Sequence, residues 1–296
     1  MSQAILMMAH KNVEQINDII SFLGEHFEYY IHIDKKSKLD VSRLTKQLNI
    51  HVFSVYSVNW GGLNQVRTEL LLSKEALSNK KLTFFHLISA EDFPTKPVEY
   101  FFDELDTEKD YISYEEMPRS CWSDNGGLDR LQYYNFLDAL DVRGSKNDET
   151  LYWEFVKVQK NCKLKRKLPH HIFPKLYGGS NWWSLTRETL QYVIDFTDTQ
   201  EDALSSMEYT RSADEIYFQS VILNSSLQNN IRGNLRYIDW KSGRGGYPAF
   251  LDETDYEKII KSNHLFARKF DINSSDRLKR LLIATYGKKN TLACEL

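Results

Sequence analysis

The alternation of strand and helix signals in the N-terminal third of the chain constrains its fold more than any other feature. Residues 4–10 (AILMMAH) form an apolar run of strand length, and the segment after them sets Val13, Ile16, Ile19, Ile20 and Leu23 on one helical face. Residues 29–34 (YYIHID) and 51–57 (HVFSVYS) read as second and third strands. Gly61 and Gly62 open a second helix, whose apolar positions Leu63, Val66, Leu70 and Leu71 recur at helical spacing. Residues 82–89 (LTFFHLIS) make a fourth strand, which Pro94 and Pro97 stop. A helix between two strands is a crossover connection, and crossovers lay successive strands parallel. The expectation is an α/β chain with a mostly parallel central sheet flanked by helices.

The remainder is less regular. Residues 115–144 are rich in Trp, Tyr, Asp and Gly and read as functional loops, and residues 157–175 carry a local excess of positive charge and two prolines. Helices are expected from residue 186 to about 196 and from 213 to about 223, a late strand at 235–240, a mobile GRGG turn at 243–246, and closing helices at 254–261 and 276–285. With 296 residues, no repeat and no Gly/Ser linker, one domain over 1–296 is the economical reading.

Composition excludes several classes of function. Thirty-eight Lys and Arg against 41 Asp and Glu leave a net charge of −3, so the whole chain has no electrostatic footprint for nucleic acid. No apolar run approaches the ~18–20 residues that span a bilayer. The start, MSQAILMMAH, lacks a basic region and reaches Lys11 too soon for a secretory signal. Cys121, Cys162 and Cys294 share no CxxC spacing, which excludes a disulfide framework and a thiolate zinc site. A reduced, cytoplasmic setting is the expectation. The 17 Tyr and 6 Trp suit sugar faces, but they suit a core equally well.

Few residues stand out for chemistry on pattern alone. Asp34 ends the second strand, at the carboxyl edge where open α/β sheets bind ligands; it is either a ligand-binding acid or a solvated turn carboxylate. The first strand–helix turn, AHKN, has no G-x-G-x-x-G, so a dinucleotide held in the Rossmann manner is not expected. Asp214 and Glu215 open a helix behind Ser212, where acids offset the helix dipole or where one of them serves as a general base. Arg244 in GRGG and Lys269 in LFARKFD suit a phosphate clamp, or are simply solvated. The histidines lack metal-ligand spacing, no D-x-D occurs, and no serine lies in a G-x-S-x-G elbow. The basic run at 163–167 (KLKRK) is a solvated loop or, in a second reading, meets an anionic membrane surface or a lipid-phosphate acceptor.

Eight segments, read in order, resemble the core-2/I-branching glycosyltransferases, a family that also includes the peptide O-xylosyltransferases: MMAHKNVEQIN, YYIHIDKKS, VNWGGLNQVRTELLL, FFHLISAEDFPTKP, GGSNWWSLTRE, SADEIYFQSVILNS, LRYIDW and NHLFARKFD. The resemblance implies a GT-A-like fold, a UDP-sugar donor with UDP-GlcNAc favoured over UDP-xylose, and an inverting mechanism without a metal or other cofactor. By position it implies Glu215 as catalytic base. It implies Met8, Ala9, Asp34, Lys35, Lys36, Trp60, Arg244 and Lys269 as donor-binding, and Asp92, Glu115, Arg130 and Trp240 as acceptor-binding. The chain would divide into a nucleotide-binding half at 1–110, an acceptor side with the catalytic segment at 111–271, and a C-terminal helix at 272–296.

The implied partners are a UDP-sugar and an oligosaccharide acceptor, lipid-linked in one reading, of a cell-surface or capsular glycan. The animal members' signal anchor, stem and cysteine framework have no counterpart here, so a Golgi setting does not carry over. Two alternatives stay open: transfer of xylose or another sugar, and a glycan-binding module without turnover. Leu278, Leu281 and Leu282 share a face of the last expected helix, with Ile283 near its edge. That face either packs on the domain or lies on the inner face of an anionic membrane.

Overall fold

The computed structural model describes residues 2–287, apart from the side chains of 123 and 124. In chain order the strands are β1 (Ser2–Ala9), β2 (Phe27–Ile33), β3 (Ile50–Phe53), β4 (Leu82–Ser89), β5 (Asp92–Pro94), β6 (Asp110–Tyr111), β7 (Glu115–Glu116), β8 (Tyr177–Gly178), β9 (Ser184–Thr186), β10 (Ile231–Arg232), β11 (Arg236–Ile238) and β12 (Phe266–Arg268). The helices are α1 (Val13–Leu23), α2 (Asn64–Ser78), α3 (Val98–Asp103), α4 (Ser123–Gly126), α5 (Asp129–Gln132), α6 (Lys146–Asn161), α7 (Arg187–Thr199), α8 (Tyr217–Leu223), α9 (Tyr256–Lys261) and α10 (Asp276–Tyr286).

Seven strands form the central sheet in the order β10-β6-β9-β4-β1-β2-β3. The pairs β1–β2, β1–β4, β2–β3 and β6–β10 are parallel, while β9 runs antiparallel to both β4 and β6. The expected α/β architecture is therefore present and agrees with a GT-A-like arrangement. β1 shows why the sheet lies inside: side chains alternate across a strand, so Ala4 and Leu6 enter one core with α2, α7 and α8, while Ile5 and Met7 enter a second core with α1 and α10. A buried arginine fastens the middle of the sheet. Arg236 donates to the carbonyls of Leu87 (3.0 Å) and Trp183 (2.7 Å) and to Ser184 Oγ (3.1 Å).

Several expectations change in detail. The third strand ends at Phe53, four residues early, because the amides of Val55 and Tyr56 turn to donate to His32 Nε2 (3.2 and 3.1 Å). The fourth strand ends at Ser89 as expected, but Asp92 ends it, and Pro94 lies inside β5. Asp92 Oδ2 accepts from the Ser89 amide (2.7 Å) and hydroxyl (2.6 Å) and faces Arg268 at 3.5 Å. The side chain is fully buried, so the expected contact with a sugar gives way to a role inside the fold.

Trp182 and Trp183 are likewise core residues. Helix α6, capped by Ser145, carries no clear helical signal in the sequence because it buries only Tyr152, Val156 and Gln159, a narrow face. Asp214 and Glu215 sit in a 3-10 turn (Ala213–Glu215) ahead of α8, and Ser212 makes no side-chain cap. In α10, Leu278 and Leu282 are fully buried in the second core. That face is thus not free to lie on a membrane. Cys294 and the end of the C-terminal segment fall outside the described residues.

Candidate active site

Parallel strands deliver their carboxyl ends to one edge, and here the turns leaving β1, β2, β3 and β4 are joined by hydrogen bonds. Asp34 N donates to Ala9 O (2.8 Å), Ala90 N to Met8 O (3.1 Å) and Lys35 N to Tyr56 O (2.9 Å). Met8 and Ala9 thus lie on this edge with their carbonyls engaged. Asp34 is 6% exposed, and its Oδ1 accepts from the amides of Lys36 and Val58, both at 3.1 Å. The carboxylate therefore shapes the wall it borders. Lys35 is exposed, while Lys36 reaches Asp141 (3.0 Å) and Asn59. This ties the 138–145 loop over the edge.

Trp60 is half exposed and carries the Arg143 guanidinium 4.1 Å from its ring centre. Gly61 follows at φ +74, with its carbonyl accepting from Ser212 N at 2.8 Å. A side chain at Gly61 would be strained by the backbone and would press on Leu137 and Ser212 at 3.3 Å. That bond leads directly to the candidate base. Glu215 stands three residues beyond Ser212, its carbonyl accepting from Gly179 N at 2.8 Å. A Cβ on Gly179 would fall 1.8 Å from Ser113 O, so glycine is required there too.

The Glu215 carboxylate is partly exposed and pairs with Arg130 at 2.5 Å. Arg130 in turn stacks on Trp122 at 3.6 Å, and Arg119 lies over the same ring at 4.3 Å. Glu115, on β7 opposite Gly178 of β8, pairs with Arg119 at 3.3 Å. Glu115, Arg130 and Glu215 are thus brought to one wall around Trp122. Asp214 points the other way, fully into the protein, where Gln65 Nε2 donates to it at 3.3 Å. Burial pushes its carboxyl up to about 8, and the neighbouring Glu215 charge adds to the effect. Glu69 on α2, also fully buried, is raised well above the usual carboxylate range by burial and by Asp214.

Cations gather around Glu91, just past β4. Lys11 lies 2.8 Å and Lys269 3.4 Å from its two oxygens. Burial opposes the Glu91 charge, but Lys269 and Lys11 outweigh it and hold the carboxyl at about 2. Lys269 is itself lowered: burial is the largest influence, Glu91 opposes it, and the charges of Arg268 and Arg143 add to the lowering. Arg244 is placed otherwise. Its guanidinium meets Asp239 (3.3 Å), Asp252 (2.6 Å) and Asp255 (2.6 Å), and burial is outweighed by these bonds, so its proton is held more tightly than usual. The GRGG segment, expected to be a mobile turn, is pinned through this residue. Trp240 is half exposed on the same loop, 4.9 Å from the Tyr247 ring. The loop joins the cleft through Leu251 N to Lys269 O (2.9 Å).

The sequence reading missed Lys11, Arg143, Glu91 and Glu69. Lys11 had a signal, lying in the first strand–helix turn, and Glu91 adjoins the fourth strand. Arg143 and Glu69 had none, because a loop and a helix interior bring them in from a distance. Among the described residues, no three His, Cys, Asp or Glu side chains converge as a metal centre requires.

Comparison with known proteins identifies the family. The model of the Core-2/I-Branching enzyme family matches residues 4–261. Xylosyltransferase 2 of Rattus norvegicus is 27% identical over 308 residues, covering 94% of this chain and 33% of the relative. Xylosyltransferase sqv-6 of Caenorhabditis briggsae is 24% identical over 301 residues, 90% of this chain and 34% of the relative. Xylosyltransferase 1 of Mus musculus is 26% identical over 236 residues, 75% and 22% respectively. The chain thus spans about a third or less of the length of these relatives. With most of its length matched, and the matched segments forming the sheet edge and the Glu215 turn, the chain belongs to the core-2/I-branching enzyme family.

Proposed function

We propose that the chain transfers a sugar from a UDP-sugar to a hydroxyl of a glycan acceptor, with inversion at the anomeric carbon and without a divalent ion. The observation that carries this reading is the single hydrogen-bonded frame that Gly61 and Gly179 make around Glu215, next to a sheet edge bearing Trp60 and a cluster of cations. In an inverting transfer the acceptor oxygen attacks the anomeric carbon from the face opposite UDP, and its proton passes to a carboxylate within hydrogen-bond reach. Glu215 takes that proton, and Arg130 orients it. The bond to the UDP β-phosphate oxygen breaks, leaving charge that fixed cations stabilise. Lys269 and Lys11, with Arg143 beside them, serve this end better than Arg244, which three carboxylates already neutralise.

On this reading Asp34, Lys35, Lys36, Met8 and Ala9 border the nucleotide, and Glu115 and Trp240 border the acceptor. UDP-GlcNAc is the donor favoured by family weight. The acceptor is an oligosaccharide of a cell-surface or capsular glycan, lipid-linked and met at the cytoplasmic face of a membrane. Among the described residues no helix is long and apolar enough to cross one. The names of the relatives favour UDP-xylose as a second reading.

Thermal melting with UDP-GlcNAc, UDP-xylose and UDP, each with EDTA and with Mn²⁺, tests both, since a ligand of the native state raises the melting temperature. A rise with UDP-GlcNAc that survives EDTA is expected. A larger rise with UDP-xylose moves the donor to the second reading, and no rise with either, or one only with Mn²⁺, refutes the metal-free scheme.

A further inference from the structure

Helix α6 leaves a flank uncovered. Tyr152, Val156 and Gln159 face the body, while Leu151, Phe155 and Val158, spaced four and three residues apart, line one side of the helix. Leu151 is 55% and Val158 54% exposed, values unusual for aliphatic residues that share one helix side. The flank continues onto the body: the Phe155 ring lies 5.2 Å from Phe136, which lies 5.0 Å from Tyr209.

The chain beyond the helix gives this surface its charge. Residues 155–171 contain six Lys and Arg and no Asp or Glu, in a protein whose net charge is −3. Lys163 at φ 54 turns the chain back after the helix, and Arg166 anchors it, donating from its amide to Gln132 O (2.8 Å) and from its guanidinium to Ser206 O (3.0 Å). The Arg166 guanidinium lies 6.0 Å from the Tyr209 ring, so the cationic segment runs beside the apolar flank. Lys163, Lys165 and Lys167 stay exposed, as does Leu164 between them. Among the described residues, Glu154 and Asp148 lie on α6 itself, and Glu208, near Arg166, pairs with Arg67.

We propose that the Leu151–Phe155–Val158 flank of α6, with the cationic segment 163–167 beside it, is a docking face for a membrane surface rich in anionic lipid. Apolar side chains that enter the acyl boundary beside lysines that meet headgroup phosphates are the chemistry of a protein lying on a bilayer. Two other occupants fit less well. A second copy of the chain would bring two cationic runs together, and a nucleic acid has no use for exposed Leu and Val. The face is separate from the sugar-transfer reading and stands or falls without it.

Vesicle sedimentation tests the proposal, with phosphatidylcholine alone and with about 30 mol% phosphatidylglycerol, at low and high salt. The wild type is expected to bind the anionic vesicles at low salt, weakly at high salt, and the neutral ones hardly at all. Lys163→Glu/Lys165→Glu/Lys167→Glu should lower the partition by about a hundredfold, and Leu151→Ser/Val158→Ser by about tenfold, both with unchanged melting. Ile283→Ser on α10 should change nothing. Failure of the wild type to sediment, equal binding to neutral vesicles, or variants that bind like wild type would overturn the proposal. So would loss through Ile283→Ser alone, or a wild-type dimer that Leu151→Ser/Val158→Ser converts to monomer.

Discussion

Asp214→Asn separates the buried acid from Glu215, the candidate base. The Asp214 carboxyl is fully buried, and its affinity for a proton rises from the ordinary 3.8 to about 8. The native state therefore keeps a proton that the unfolded chain gives up above about pH 4, so stability falls as pH climbs toward about 8 and levels off beyond. At about 1.4 kcal/mol per unit this costs the native state about 4 kcal/mol at pH 7. The charge of neighbouring Glu215 contributes part of the shift, so about 2 kcal/mol is the working figure.

Asparagine keeps the shape and the bond from Gln65 but has no proton to lose. Its extra N–H donors carry a penalty of about 1–3 kcal/mol that does not depend on pH, so the informative quantity is the change in the melting difference between two pH values. Near pH 4.5 the variant should melt at or below wild type, and by about pH 8 it should gain about 3 °C relative to that baseline. A difference that stays constant across the range would refute the argument, since it would mean that Asp214 is already ionised in the native protein. Turnover at neutral pH should survive the change, because Asp214 points into the protein toward Gln65 and away from the site wall.

Glu215→Gln should lower turnover by about 10²–10⁴-fold while calorimetry finds UDP affinity nearly unchanged, and an unaltered rate would remove it as the base. Lys269→Ala should weaken UDP binding by about tenfold or more through the lost charged contact, with UMP affected less; equal losses for both would point away from the diphosphate. Arg244→Ala should leave UDP affinity within about twofold but lower the melting temperature, because the buried Asp255 loses its guanidinium partner. A normal melting curve with lost UDP affinity would return Arg244 to the donor clamp. Gly61→Ala should cost about 1–2 kcal/mol of stability through its positive φ alone, read by urea unfolding.

The parallel sheet of the N-terminal third was legible because its strands are continuous apolar runs and its helices carry one clean face, so periodicity and burial agree. The same logic explains what was lost. Helix α6 exposes Leu151, Phe155 and Val158 and so blurs the pattern that identifies a helix. Asp92 looked like an edge residue from its position at the end of a strand, and only the packing of Ser89 and Arg268 around it reveals a turn anchor. At the candidate site, residue pattern offered Lys269 and either Asp214 or Glu215, and the family resemblance singled out Lys269 and Glu215. No local rule ties Arg143 to Trp60 or Arg130 to Glu215, because those partners are set by loop closure across more than eighty residues.

The strand order carries a consequence for how the chain is made. β4 finds its second neighbour only in β9, where His86 meets Ser184 across 98 residues of sequence, and Arg236 clasps both strands from further on still. During synthesis the first four parallel strands emerge with the β4 rim bare, its amides and carbonyls unpaired and the apolar side chains that will meet Leu185 and Trp183 still wet. A fragment stopping near residue 110 would therefore be a sticky half-sheet, prone to pair with its own copies. For the same reason the two halves of the chain cannot be exchanged as independent modules.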